Sequence, residues 1–153
     1  MKIKNLKRLQ RKLRRMSPVA KEEIRKALAE SAAEIVALQK QIVPAASGDL
    51  RDSIEWRYGD AKKIRYSQSF KGASGGHELS VRISAGNEKV RYAHLVEFGA
   101  APHIAGGKFE GAQHPGAPAQ PFFYPAFRLG KKRAKARIGR AVGKAARKVA
   151  AGG

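Results

Sequence analysis

Apolar positions along the chain follow a period of three to four, then of two, then of three to four again. Ile3, Leu6, Leu9, Leu13 and Met16 are spaced three, three, four and three, a helical stripe with Lys and Arg on the other faces. So short a helix is marginal alone, because nucleation is unfavourable, and it needs a partner surface. Ser17-Pro18 then reads as an N-cap followed by proline at the first helical position. Glu22 and Glu23 lie near that start, where the helix dipole favours anions. Ile24, Leu28, Ser31, Ile35, Leu38 and Ile42 recur at four and three, the strongest helical period in the chain, and Pro44 ends it.

A turn at Ser47-Gly48-Asp49 and one helical turn over 50–53 lead into the second regime. Ile54, Trp56 and Tyr58 alternate with Glu55 and Arg57. Ile64, Tyr66, Gln68 and Phe70 alternate with Arg65, Ser67 and Ser69. Leu79, Val81 and Ile83 alternate with Ser80, Arg82 and Ser84. These predict three half-buried strands, broken at Gly59-Asp60 and at Gly72 to Gly76, in a small antiparallel sheet with one wet face.

Val90 to Phe98 reads either as a strand or as a short helix packed on the sheet. Residues 99–121, rich in Gly and Pro, read as a long loop, which in a compact domain is functional or mobile. Phe122, Phe123 and Phe127 cluster around Pro125. Ala134, Ile138, Ala141, Val142, Ala145 and Val149 then share one helical face. Gly130, Gly139 and Gly143 weaken that last helix by roughly 1 kcal/mol each relative to Ala. No internal repeat is present. The reading is one domain: a basic segment over 1–16, a body over 17–127 and a basic helix over 128–153.

Charge sharpens this division. The 153 residues carry 32 Lys and Arg against 12 Asp and Glu, a formal net charge of +20. Residues 1–16 hold eight of the cations and 128–153 hold ten, with no acid in either segment. The body between them is close to neutral. Lys7, Arg8, Arg11, Lys12, Arg14 and Arg15 at one end, and Lys131, Lys132, Arg133, Lys135, Arg137 and Arg140 at the other, are candidate contacts to DNA phosphates or to acidic partners. No aromatic precedes Trp56 or follows Phe127, so base stacking is not expected and a nucleic-acid partner would be duplex, held by its backbone.

Other chemistry finds little support. The chain has no Cys, hence no disulfide framework and no thiolate zinc site. No run of about 18 apolar residues is present to span a membrane, and no apolar stretch follows the basic start as in a signal peptide. His94, Glu97, His103 and His114 are the metal set to weigh, but the first pair has a common spacing and the others sit in the loop. The remaining acids are scattered, with no carboxylate cluster for two-metal hydrolysis. Gly72 to Gly76 lacks the Lys-Ser/Thr of a phosphate-binding loop. We therefore expect no catalytic residue, no metal and no cofactor.

One ordered set of motifs is more specific. Tyr92-Ala93-His94-Leu95-Val96-Glu97-Phe98-Gly99, then His114-Pro115-Gly116, then Gln120-Pro121-Phe122-Phe123-Tyr124-Pro125-Ala126, resembles the tail-component family of long-tailed bacteriophages over roughly residues 17–130. Ala100 stands where that family often has Thr. The resemblance implies a non-catalytic virion part of the neck or tail top, assembled in the host cytoplasm, that completes the tail and joins it to the head. Its implied partners are further copies of itself in a ring, other neck and tail proteins, and duplex DNA in the channel; no membrane is implied.

The motif residues also read physically. Gly99 allows a sharp turn after Phe98. Glu97 either pairs with an Arg or caps backbone N–H groups. Pro121 and Pro125 fix the start of the last helix, and Phe122 and Phe123 bury it against the sheet beside Ala126. The 99–121 loop, with His103, Phe109, His114 and Pro115, is a candidate contact between subunits, as Tyr92 and Phe98 are candidate scaffold positions. The expected fold class is α+β, a helix and a C-terminal helix on a small antiparallel sheet. The rival from another class is a sequence-independent duplex-binding protein with basic tails.

Overall fold

The computed structural model describes residues 17–44, 48–62, 64–69 and 77–151. The first apolar stripe, with Lys7 to Arg15, and the Gly72 to Gly76 segment lie outside the described residues. Helix α1 spans Pro18–Ile42, and the Ser17 hydroxyl accepts a hydrogen bond from Ala20 N at 3.3 Å, as the N-cap reading requires. Ile24, Leu28, Ser31 and Ile35 are buried, joined by the small residues Ala20, Ala27 and Ala32. Leu38 is only half-buried and Ile42 is exposed, because the buried face at this end runs through Val36, Gln39 and Val43 instead.

A one-turn helix α2 (Asp49–Asp52) precedes strand β1 (Glu55–Tyr58). Strands β2 (Gln68–Ser69) and β3 (Val81–Ala85) complete an antiparallel sheet of order β1-β3-β2. Trp56 stands opposite Ile83 and Tyr58 opposite Val81, so the apolar alternation of both strands falls on one face. Among the described residues expected to form the middle strand, only Gln68 and Ser69 pair, and Phe70 lies outside the described residues. Tyr66 takes a left-handed conformation at φ 58°, which breaks the alternation. Its ring is exposed and lies 4.2 Å beneath the Arg91 guanidinium. Leu79 likewise stands in a turn before β3, its N–H donating to His77 Nδ1.

The ambiguous segment is helical: α3 spans Ala93–Phe98. The segment read as a long loop is instead folded into a hairpin. Strands β4 (His103–Ile104) and β5 (Gln113–His114) pair antiparallel around a 3-10 turn at Gly107–Phe109. Ala100 and Ala117 exchange both backbone hydrogen bonds at 2.9 Å below them. Closing these ladders satisfies backbone groups that an open loop would leave to water.

Helix α4 (Phe123–Ala150) runs back antiparallel along α1. Close approach of the two helices is set by small residues, since Ala126, Gly130, Ala134 and Ala145 are all buried on the α4 side. Gly130 marks the tightest point. A Cβ there would stand 2.8 Å from Ile35 Cγ1, whereas Gly139 and Gly143 face open space. Fold class is thus α+β, with two long helices over one face of a small sheet. The core lies where Ile35, Ile54, Ile83, Val90, Phe122 and Phe123 meet.

The three glycines of α4 are therefore unequal. Gly139→Ala and Gly143→Ala should each stabilise the fold by up to about 1 kcal/mol through helix propensity. Gly130→Ala should destabilise it, because overpacking a tight core contact costs about 1–3 kcal/mol, more than the propensity gain. Thermal unfolding checks the order; at this chain length about 1 kcal/mol moves the midpoint by roughly 2–4 °C.

Candidate functional site

The resemblance motifs converge on the start of α4. Glu97, at the end of α3, is 3% exposed, yet among the described residues it has no cationic partner. Its carboxylate instead accepts three backbone hydrogen bonds. Phe122 N and Phe123 N donate to Oε2 at 2.8 Å each, and Tyr124 N donates to Oε1 at 3.1 Å. Of the two roles open to Glu97 in the sequence, the structure selects the cap. The N-cap residue of α4 is Phe122, which has no acceptor of its own, so the acceptor comes from 25 residues upstream. Pro125 follows in the first turn, where its missing N–H leaves nothing unpaired. An anion is also favoured there by the helix dipole.

Gln39 of α1 holds the same turn from the other side, and nothing in the sequence pattern singles it out as functional. Fully buried, it donates from Nε2 to Phe123 O at 3.1 Å. Its place is legible as a polar residue one turn past Ile35 on the apolar stripe. Gly99, next to Phe98, has φ 74°, and a Cβ there would stand 2.8 Å from Ala117 O. The chain leaves α3 into the hairpin at this point and returns through Gln120 N, which donates to Val96 O at 2.8 Å.

Pro121 is exposed, Pro125 is half-buried, and Phe122, Phe123 and Ala126 are core residues. The outer face of α3 is different. Tyr92, Leu95 and Phe98, three residues apart, form an exposed apolar row, with Phe98 64% exposed. Leu95 carries no signal of this in the sequence, because its spacing to Tyr92 and Phe98 has meaning only once the segment is helical. Leu95 and Tyr92 also line a shallow hollow with Pro44, Leu50 and Val96. On the hairpin, Ile104 and Phe109 are exposed, and His103 and His114 stack across the strands with ring centroids 5.0 Å apart. Pro115 follows His114 at the hollow beside that pair.

His94, Glu97, His103 and His114 do not converge on one point. Among the described residues no group of three His, Asp or Glu is placed to hold a metal, and Glu97 is committed to backbone.

The cations of α4 divide by partner. Arg133 and Arg137 both pair with Glu34, the latter at 2.8 Å, and Arg137 also reaches Ser31 Oγ at 3.2 Å. Lys144 and Lys148 meet the two oxygens of Glu23 at 3.0 and 2.9 Å. Three of the four α1 acids that look scattered in the sequence, Glu23, Glu30 and Glu34, are therefore matched, in antiparallel order, to one edge of α4. Lys131, Lys132, Lys135 and Arg140 are exposed and form no ion pair among the described residues. Lys7, Arg8, Arg11, Lys12, Arg14 and Arg15 lie outside the described residues.

Hydrogen bonds from Lys148 and Lys144 hold the Glu23 carboxyl at about 2, below its ordinary 4.5. Those from Arg137 and Arg133 lower Glu34 in the same direction. Carboxyls depressed in the folded state add stability that is fully present above their unfolded value and lost as pH falls. The melting temperature should therefore fall between about pH 4.5 and pH 2. Melts followed by circular dichroism check this, and Glu23→Gln should flatten part of that fall.

Glu97→Ala should be among the most damaging single substitutions. It removes the acceptor of three N–H groups, two of them buried, each of which costs about 1–3 kcal/mol if buried and left unpaired. Glu97→Gln keeps one acceptor oxygen and should lose less. Urea unfolding of both variants checks the order; near-equal, sub-kcal losses would contradict the cap.

The comparisons with known proteins fit this geometry. A family model described as "Bacteriophage HK97-gp10, putative tail-component" matches residues 7–99, from within the first basic segment to the glycine that ends α3. The match starts earlier than the resemblance drawn from the motifs and stops short of the Pro121 to Ala126 segment. Neither the curated proteins nor the solved structures contain a match. More than half of the chain, including α1, the sheet and α3 with Glu97, is covered, and the chain belongs to the HK97-gp10-like family of bacteriophage tail components.

Proposed function

We propose that this protein is a ring subunit at the neck or tail top of a phage particle, where it completes the tail and joins it to the head. Family membership supports the tail-component part of this reading and a place in the virion. The observation that carries the rest is the row Tyr92, Leu95 and Phe98 on the outer face of α3, beside a hairpin that raises Ile104 and Phe109. These side chains face outward although the chain folds a substantial core elsewhere, and clustered exposed apolar residues mark contact surfaces. The row and the hairpin lie on either side of Gly99 and differ in shape, one a convex helix face and one a projecting arm. Two unlike surfaces suit a head-to-tail contact, which closes into a ring when the rotation allows.

In this role the protein works by fitting between neighbours, without a reaction of its own and without a cofactor. No described helix is long and apolar enough to cross a membrane. The buried Glu97 cap serves the ring by fixing α3, the hairpin stem and the start of α4 as one rigid corner.

Electron microscopy of the purified protein, alone and mixed with isolated tails, is expected to show rings or a collar at one tail end. Leu95→Asp with Phe98→Asp should abolish both while leaving the circular-dichroism spectrum unchanged, since both side chains are exposed in the free subunit. Wild-type protein that stays monomeric and leaves tails bare overturns the reading.

A further inference from the structure

Helix α4 carries ten Lys and Arg between Arg128 and Lys148 and no acid. The structure sorts eight of them onto two edges. One edge, Arg133, Arg137, Lys144 and Lys148, is matched to Glu23, Glu30 and Glu34. The other edge holds Arg128, Lys131, Lys132 and Lys135, all exposed and, among the described residues, without an ion pair to an acid; Arg140 and Arg147 fall between the two edges.

This second edge is costly to the helix that bears it. Arg128 and Lys132, and Lys131 and Lys135, are like charges four residues apart, each pair opposing the helix by about 0.2–0.5 kcal/mol. They lie in the N-terminal half, away from the negative helix end that Arg147 and Lys148 complement. A surface shaped for solubility alone would intersperse both signs.

The edge is also poor in what a protein partner would need. Between residues 128 and 140 its one large exposed apolar side chain is Leu129. Exposed ion pairs with a protein return little, and stable interfaces are built around an apolar centre. A polyanion repays such an edge differently, by releasing a counterion for every phosphate neutralised. Phe127 is the last aromatic in the chain, so the edge has no ring of its own for unstacked bases. At 1.5 Å per residue the four cations cover roughly 10 Å, along which a duplex presents roughly six phosphates.

We propose that the outward edge of α4, Arg128, Lys131, Lys132 and Lys135, is a sequence-independent binding surface for the phosphate backbone of duplex DNA. It deepens the neck reading by naming the face turned toward DNA, and it is measured on the isolated full chain, without tails. A ring that binds no duplex through this edge would sink the present inference alone. A monomer that does bind duplex through it would sink only the ring.

The probe is a labelled duplex of roughly 30 base pairs of arbitrary sequence, titrated with the full chain at several salt concentrations and followed by fluorescence anisotropy. R128Q/K132Q/K135Q should make the log–log salt slope shallower by about 2.7, at about 0.9 for each phosphate no longer neutralised. K144Q/K148Q, which breaks the Glu23 pairs, should leave the slope unchanged and lower the melting temperature instead. Residues 1–16 are present in every variant, so their contribution cancels. Three results overturn the assignment: an unchanged slope in the outward variant, an equal loss in both variants, or unchanged duplex binding with loss of binding to polyglutamate, which would point to an acidic protein. Circular dichroism confirms folding; if the triple variant unfolds, K132Q/K135Q with an expected change of about 1.8 decides.

Discussion

The first turn of α4 is a buried polar junction, and the remainder of the architecture follows from how it is satisfied. A helix that starts inside a core must find acceptors for its first N–H groups or forfeit the burial. Here Phe122, Phe123 and Tyr124 N–H all go to Glu97, Pro125 has none to place, and Ala126 N begins the ladder by donating to Phe122 O. Every donor of the turn is accounted for, so Phe122 and Phe123 can be fully buried without an orphaned backbone. Gln39 adds a bond to Phe123 O from the opposite helix. The Glu97 carboxylate thereby ties α3 to the start of α4, and so the matched part of the chain to the part beyond Gly99, while Gln39 adds α1 to the same junction.

From that fixed point α4 must lie along α1, and the two helices are built to be close. Alanines and Gly130 replace bulk with proximity, so the pair gains contact area through approach rather than through large side chains. Beyond the core the apolar contact thins to Ala20, Ile24, Leu28 and Ala145 with half-buried Ile138 and Val142. The ion pairs of Glu23 run along this thinner half, and those of Glu34 lie where it meets the main core. Their exposed members add little individually, but their order fixes register and excludes a parallel or shifted arrangement.

How much of this the sequence disclosed depended on whether the signal was local. Ser17-Pro18 capped α1 as its residue types require, and the four-three period located its buried face as far as Ile35, because both rules act within one turn. The middle strand failed because period two says nothing about a single left-handed residue such as Tyr66. The 99–121 segment reads as a loop because its ladder pairs are only two residues long, too short for any period to register. Glu97 was legible as the one acid in its motif, yet its role hung on N–H groups 25 to 27 residues away. The acid–base edge was present as two spacings, seven and four in Glu23, Glu30 and Glu34, four, seven and four in Arg133, Arg137, Lys144 and Lys148. Only the antiparallel docking of the helices made them one feature.

That sorting of charge bears on assembly. A chain at +20 repels its own copies over a screening length of about 8 Å at physiological salt, so apolar contact alone would have to close a ring against that field. Neutralising one edge of α4 internally lowers the repulsion where the helix meets its own body. It leaves the other edge as a concentrated field that a polyanion relieves. Phosphates on the outward edge would therefore reduce the repulsion between neighbouring subunits as well as hold the nucleic acid. Subunit association and duplex binding should then favour each other, by the reciprocity that any two linked equilibria obey. If both proposals hold, the apolar row on α3 and the cationic edge on α4 would be two coupled contributions to one assembly, joined through the corner that Glu97 holds.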